Sequence, residues 1–336
     1  MKGRTIDREI SASGCDSPSF LTANVRGVLW MMAAVLALTG MFAVAKHLAA
    51  TGLPVLEIAM FRMAVSLMFY LPWLIRHGAA GMRSERPAAH FWRGFLGASS
   101  LFCMMYAVAH LILADAMVLG FTIPLWSIPF SVLFLRERVR LRRSLATVAG
   151  FAGVVLVVQP QGGIASAALV ALLGAILASG AIITMKDLTR TEPTDRIVVY
   201  FFIIGTLMLI GPAIYVWRWP TPAQWGWLVL LGLFGALGQT SMTRAYAAGE
   251  VTIIAPLDFT RVIVAGIIGF VLFNELPDIW SFVGTAVIIA SCAYIVRHEA
   301  MLKQANAKKP PADLRGQATF PDAHRGGEPP GPGLVS

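Results

Sequence analysis

The chain has 336 residues, of which 57% are apolar and only 13% charged, and its net charge is +9. A soluble protein carries roughly a quarter charged residues, so a water-facing fold of this length would lack the polar surface to cover its apolar content. Cys15, Cys103 and Cys292 are scattered with no CxxC pair, which argues against a disulfide framework and a zinc site.

Along the chain, the first 24 residues are polar, and the apolar run Gly27–Ala45 is too long and too far in for the core of a cleavable signal. A helix needs about 20 apolar residues to cross the hydrocarbon. The sequence predicts ten such spans: 27–47, 54–75, 91–110, 113–135, 143–159, 164–185, 196–216, 222–243, 251–273 and 277–297. Turn signals separate them, among them Thr51-Gly52-Leu53-Pro54 and Pro220-Thr221-Pro222. Residues 1–26 read as a tail before the first span, and 299–336, rich in Pro and Gly, as a disordered tail after the last.

Of the 27 Lys and Arg, all but Lys46, Arg62, Arg218 and Arg261 fall in the N-terminal tail, the even-numbered connections and the C-terminal tail. That alternation predicts both termini on the cytoplasmic side of a cytoplasmic (inner) membrane. It also accounts for the positive charge as a determinant of topology, so no nucleic-acid partner is expected. Eight of the nine Trp (30, 73, 92, 217, 219, 225, 227 and 280) lie near span ends, where an amphipathic ring prefers to sit.

An offset of 140 residues pairs Gly40 with Gly180, Lys46 with Lys186, Thr51 with Thr191, Phe61 with Phe201, Pro72 with Pro212 and Tyr106 with Tyr246. After a two-residue slip, an offset of 138 pairs Phe121-Thr122 with Phe259-Thr260 and Glu137 with Glu275. Two five-helix repeats follow, 27–160 and 161–298. Five crossings are an odd number, so the second copy enters the membrane from the opposite side. Inverted repeats of this kind are a recurrent design of secondary transporters.

The segments Leu113-Ala114-Asp115-Ala116, Phe121-Thr122-Ile123-Pro124-Leu125 and Arg136-Glu137-Arg138-Val139 resemble the fourth-helix signature of the drug/metabolite transporter superfamily, EamA type. So do Ala255-Pro256-Leu257-Asp258-Phe259-Thr260-Arg261 and Phe273-Asn274-Glu275, in a form similar to the branch of S-adenosylmethionine uptake carriers. Relatives there often have Tyr in place of Phe259. The resemblance covers roughly 27–297. It implies an all-α membrane protein of two inverted EamA-like repeats. A central cavity would be lined mainly by spans 1, 3, 4, 6, 8 and 9, with no cofactor and a small organic solute as partner (an amino acid, nucleoside-like metabolite, vitamin or drug). A homodimer stays open.

A charge at the bilayer centre costs roughly 2.5–3.5 kcal/mol on insertion scales, so each asks for a partner or a role. Arg62 lies inside span 2, where it either meets a substrate anion or gating carboxylate or caps loose carbonyls; Glu57, five residues away, is poorly aligned with it. Asp258 and Arg261 share a helix face as a structural pair or a gating pair, with Asp258 the best proton carrier. Asp115 is expected near the interface. Pro124, Pro129 and Pro256 are expected to break spans 4 and 9. Trp126, two residues past Pro124, either offers a stacking face to a planar or cationic substrate or packs into the kink. Tyr106, Thr122 and Gln239 are candidates for the cavity wall, while Glu137 and Glu275 are expected to anchor helix ends.

The chain has no GxxxxGK[ST] phosphate loop and no HExxH motif, and His298-Glu299 is followed by Met301-Leu302 rather than a second His. No catalytic residue and no metal ligand are expected. A secondary carrier is the favoured reading; a non-transporting membrane scaffold or sensor and an intramembrane enzyme are the alternatives.

Overall fold

Long runs of Ala, Leu, Ile, Val and Phe with few charges favour helices apolar on every side, which bury one face in neighbours and turn the other to lipid. The computed structural model describes residues 17–123, 125–126, 141–158, 164–248 and 257–307, and among these it contains no strand. The described helices are α1 (Ser17–Ala50), α2 (Val55–Phe69), α3 (Leu71–Met82), α4 (Pro87–His110), α5 (Leu113–Gly120), α6 (Leu141–Val158), α7 (Ile164–Leu188), α8 (Thr194–Tyr215), α9 (Pro222–Ala248), α10 (Thr260–Phe273) and α11 (Ile279–Ala307). The chain divides into the units Met1–Arg297 and His298–Ser336. The second unit begins in helical conformation, and its described residues end at 307.

Among the described residues, Val25–Ala50, Ser166–Leu188 and Thr194–Tyr215 are helices long and apolar enough to cross a bilayer. Val55–Phe69 and Leu71–Gly78 meet the same measure together across a 49° bend. The continuous helix predicted over 54–75 is therefore corrected to a broken one. Pro72, in the first turn of α3, has no N–H, and its ring crowds the carbonyl four residues earlier. Tyr70 closes α2 by donating its N–H to Leu67 O at 2.9 Å.

The predicted fourth span also ends its first helix early, at Gly120. The Thr122 hydroxyl donates to Leu119 O at 2.7 Å there, and Thr260 makes the same bond to Leu257 O, also 2.7 Å, where α10 begins. Pro124, Pro129, Glu137 and Pro256 lie outside the described residues.

Packing follows a two-fold exchange. α1 lies along α9 and α4 along α7; α2 meets α8, and the contacts of α2 with α9 are mirrored by those of α4 with α8. Each pairing maps onto its partner when α1 is exchanged with α7, α2 with α8, and α4 with α9. A methyl at Gly40 would touch Phe234 at 3.1 Å, and one at Gly180 would touch Leu96 at 3.0 Å. Gly40 and Gly180 differ by 140 but Leu96 and Phe234 by 138, so the two-residue slip precedes α4. Tyr106 is thus the counterpart of Arg244, a correction to its pairing with Tyr246. Phe121 and Phe259 face each other with centroids 5.2 Å apart, close to the two-fold axis.

The outer surface is apolar: Leu36, Leu173, Leu207, Ile263 and Ile267 are all more than 45% exposed. Aqueous proteins rarely present contiguous apolar surface on that scale.

Candidate functional site

A cavity of about 150 Å³ lies among helices of both repeats. α1 contributes Leu38, Met41 and Phe42; α4 contributes Arg93, Gly97, Ser100 and Met104; α5 and the turn after it contribute Met117, Gly120 and Phe121. From the second repeat come the small residues Gly174, Ala175, Ala178 and Ala181 of α7, Gln239 and Met242 of α9, and Asp258 and Arg261 beside and within α10. α2 and α8 each add one residue, Arg62 and Phe201.

The charged residues of the wall fall into two kinds. Arg261 is paired: its Nη2 donates to Asp258 Oδ1 at 2.5 Å, one helical turn away, and its guanidinium lies over Phe121 at 5.8 Å. Arg62 and Arg93 are different. Arg62 is 1% exposed, with Nε 3.3 Å from the Met41 sulfur and Nη1 3.0 Å from the Met63 sulfur. Arg93 is 5% exposed, with Nη2 3.8 Å from the Met185 sulfur and no partner for Nε. Thioether sulfur is a weak acceptor. Both guanidiniums also lie over the Phe201 ring, at 5.4 and 4.4 Å. Among the described residues, no carboxylate pairs with either.

Glycine makes room for both. A methyl on Gly97 would fall 2.2 Å from Arg93 Nη1, and one on Gly235 would fall 2.9 Å from Arg62 Nε. These glycines are 138 residues apart, at equivalent points of α4 and α9.

The structure brings Arg62, Gln239, Asp258 and Arg261 of the predicted residues into one wall. Trp126 turns elsewhere, with its ring 5.2 Å from Phe151 of α6 and its Nε1 donating to Thr122 Oγ1 at 3.2 Å. That hydroxyl is itself committed to Leu119 O. Tyr106 stacks on His110 at 4.2 Å. None of these three is among the residues that line this cavity. Arg93, grouped by sequence with the second connection, is instead part of the wall; the available signal was its position just inside the predicted span 91–110.

Both ends of the bundle carry ion pairs. α10 ends on Asn274 in the left-handed conformation (φ 53°), which asparagine tolerates, and the Glu275 N–H donates to Gly269 O at 3.0 Å. That turn delivers the Glu275 carboxylate to the Leu113 N–H at 2.9 Å, at the start of α5, and to Lys46 Nζ. Lys46 also donates to Leu111 O at 2.6 Å. Near the start of α4, Glu192 accepts from Ser84 at 2.5 Å and from Arg196 at 2.6 Å, beside His90, which stacks on Tyr200 at 4.3 Å. Arg86 pairs with Asp187 close by. Burial pushes the Glu192 carboxyl upward, but its hydrogen bonds from Ser84 and Arg196 and the Arg196 charge outweigh that and hold it below the ordinary range. Glu57 accepts the Arg218 N–H at 3.0 Å rather than pairing with Arg62, and Asp115 accepts from Ser281. Among the described residues, no group of three His, Cys, Asp or Glu could hold a metal.

Residues 25–159 and 165–297 each match the EamA-like transporter family. The chain belongs to that family. The pseudopaline exporter CntI of Pseudomonas aeruginosa is 32% identical over 278 residues, covering 81% of this chain and 96% of that protein. A riboflavin transporter of Rhizobium johnstonii is 31% identical, covering 82% and 92%. An S-adenosylmethionine uptake transporter of Rickettsia bellii is 27% identical, covering 84% and 96%. A solved crystal structure superposes with a TM-score of 0.57 at 18% identity, covering 83% of this chain and 98% of that one, which shows a shared fold. The double family match agrees with the two-fold exchange of packing.

Proposed function

We propose that the chain is a secondary, non-ATP-driven carrier of a small organic metabolite. It would work by alternating access of two inverted five-helix repeats, 27–160 and 161–298, in the cytoplasmic membrane with both termini in the cytoplasm. The observation that carries this reading is a charged cavity lined by both family-matching repeats. Exchanging the conformations of two equivalent halves opens such a cavity to one side and then the other. Ten spans fit the alternation of Lys and Arg along the chain.

The named relatives support a route for an organic solute, and their names include both export and uptake. Nothing in the chain's motifs points to chemistry on the solute.

Metabolite profiling of cells with and without the protein, followed by flux into proteoliposomes, tests the reading. At least one solute that changes in cells should cross liposomes containing the purified protein without ATP; failure of every such solute to move removes the carrier assignment. Cysteines placed at Lys46 and Lys186 should be labelled from opposite aqueous sides. Labelling from the same side would rule out inverted repeats.

A further inference from the structure

We propose that Arg62 and Arg93, beside Phe201, form an anion subsite that holds the carboxylate or phosphate group of the carried solute. The inference rests on the carrier reading above and names the chemical class of its cargo.

Four observations converge. Other arginines of the described residues that sit against the bundle find carboxylates: Arg196 has Glu192, Arg86 has Asp187, Arg244 has Asp195, and Arg261 has Asp258. Arg62 and Arg93 are the more deeply buried, yet have only sulfur and ring faces. Burying a charge without a counter-charge is strongly unfavourable unless something arrives to neutralise it. Second, the two guanidiniums line one cavity, where their like charges repel; an anion between them converts that repulsion into attraction. Third, each guanidinium is seated against a glycine where a methyl would collide with it, at 2.2 Å for Gly97 and Arg93 and 2.9 Å for Gly235 and Arg62, so the backbone admits both groups to these positions. Fourth, Asp258, the sole carboxylate among the described residues of the wall, is held by Arg261.

The described residues of the wall therefore carry two positive charges in excess. A guanidinium presents its N–H groups as a planar fork that matches carboxylate or phosphate oxygens. The remaining surface is mostly methionine, phenylalanine and small aliphatic residues, which suits the organic body of the solute rather than an inorganic ion.

Thermal unfolding of the purified full chain in detergent, at constant ionic strength, tests the subsite. The probes are succinate, benzoate, inorganic phosphate and adenosine monophosphate, with choline as the cationic control. At least one anion should raise the unfolding temperature saturably, and choline should not. Preference for the carboxylates or for the phosphates identifies the group. R62Q and R93Q should each weaken the anion effect about tenfold or more. G97A keeps every charge but would displace the Arg93 guanidinium, so it should weaken the effect as well and serves if the glutamine variants fail to fold.

No stabilisation by any anion, stabilisation by choline alone, or unchanged anion dependence in the variants overturns the subsite. Flux of neutral or cationic solutes that ignores both arginines removes the subsite and leaves the carrier. An intact anion effect with no flux of any solute removes the carrier and leaves the subsite.

Discussion

The two repeats share their spacers and differ in their charges. Gly97 in α4 and Gly235 in α9 stand at equivalent positions, and each lies against a buried arginine. Both arginines belong to the first repeat: Arg62 has Phe202 as its counterpart, and Arg93 has Leu231. The second repeat supplies the paired charges Asp258 and Arg261 instead. The prolines show the same divergence. Pro72 separates α2 from α3 across a 49° bend because helix continues beyond it, whereas Pro212 sits three residues from the end of α8 and leaves no second segment to tilt. Close helix approach needs the same small residues on both sides of a two-fold axis, but recognition of a solute has no reason to obey that symmetry.

The largest expected effect separates paired from unpaired charge. Asp258→Asn leaves Arg261 buried without its counter-ion, and breaking a buried pair costs about 3–5 kcal/mol. Arg62→Met removes a buried charge that has no carboxylate and leaves no counter-ion behind, so it should leave stability unchanged or raise it. Unfolding in detergent reads both. In flux assays Arg62→Met should lose transport despite its stability, and a stable, fully active Arg62→Met protein would remove Arg62 from the site. If protons drive the cycle, Asp258→Asn also abolishes the pH dependence of flux.

Next in size are the spacers. A methyl on Gly94 would meet Ile204 at 2.6 Å, and one on Gly232 would meet Val65 at 2.4 Å and its backbone carbon at 3.1 Å. Both alanine variants should destabilise by about 1–3 kcal/mol through overpacking. Gly232→Ala should be the worse, because its methyl meets a backbone carbon as well as a side chain. Gly266→Ala, with nothing within 4 Å, is the control and should stabilise its helix by about 1 kcal/mol. Equal losses at all three positions would mean that these glycines are not spacers.

A smaller effect concerns the end of α10. Lys46→Ala removes one partner of Glu275, whereas Glu275→Ala also strips the Leu113 N–H of its acceptor. Glu275→Ala should therefore cost about 1 kcal/mol more than Lys46→Ala, the usual worth of a helix N-terminal acceptor. A double-mutant cycle of the two measures the ion-pair share.

Much of this was legible in the sequence because bilayers impose length and composition. The all-helical class and the family follow from the apolar composition and the motifs, and Arg62, Gln239, Asp258 and Arg261, which line the cavity, stand out against that apolar background. Arg93 did not, since an arginine within a turn of a span end looks the same as one that sets topology. Direction was equally hidden: Trp126 lies mid-span by sequence, but the turn at Phe121-Thr122 points it at Phe151 and away from the cavity. The break at Pro72 and its absence at Pro212 depend on how much helix follows, a property of tertiary placement rather than of the proline.

The smallest expected effect is on the side of the bundle where Ser84, His90, Glu192 and Arg196 meet. Donors from Ser84 and Arg196 hold the Glu192 carboxyl below its ordinary value of 4.5. A depressed folded value means that the ionised form is favoured by folding, so the contribution is complete above the ordinary glutamate range and fades as pH falls through the folded value. From pH 7 down to about 5 the stability of the wild type should not change on this account; below that it should decline. Glu192→Gln has no carboxylate to protonate, so it should be less stable at neutral pH and lose part of the acid-side slope. Tyr200 and the backbone contacts of α8 remain in place in that variant. Parallel acid profiles for the two proteins would place the acid-labile group elsewhere.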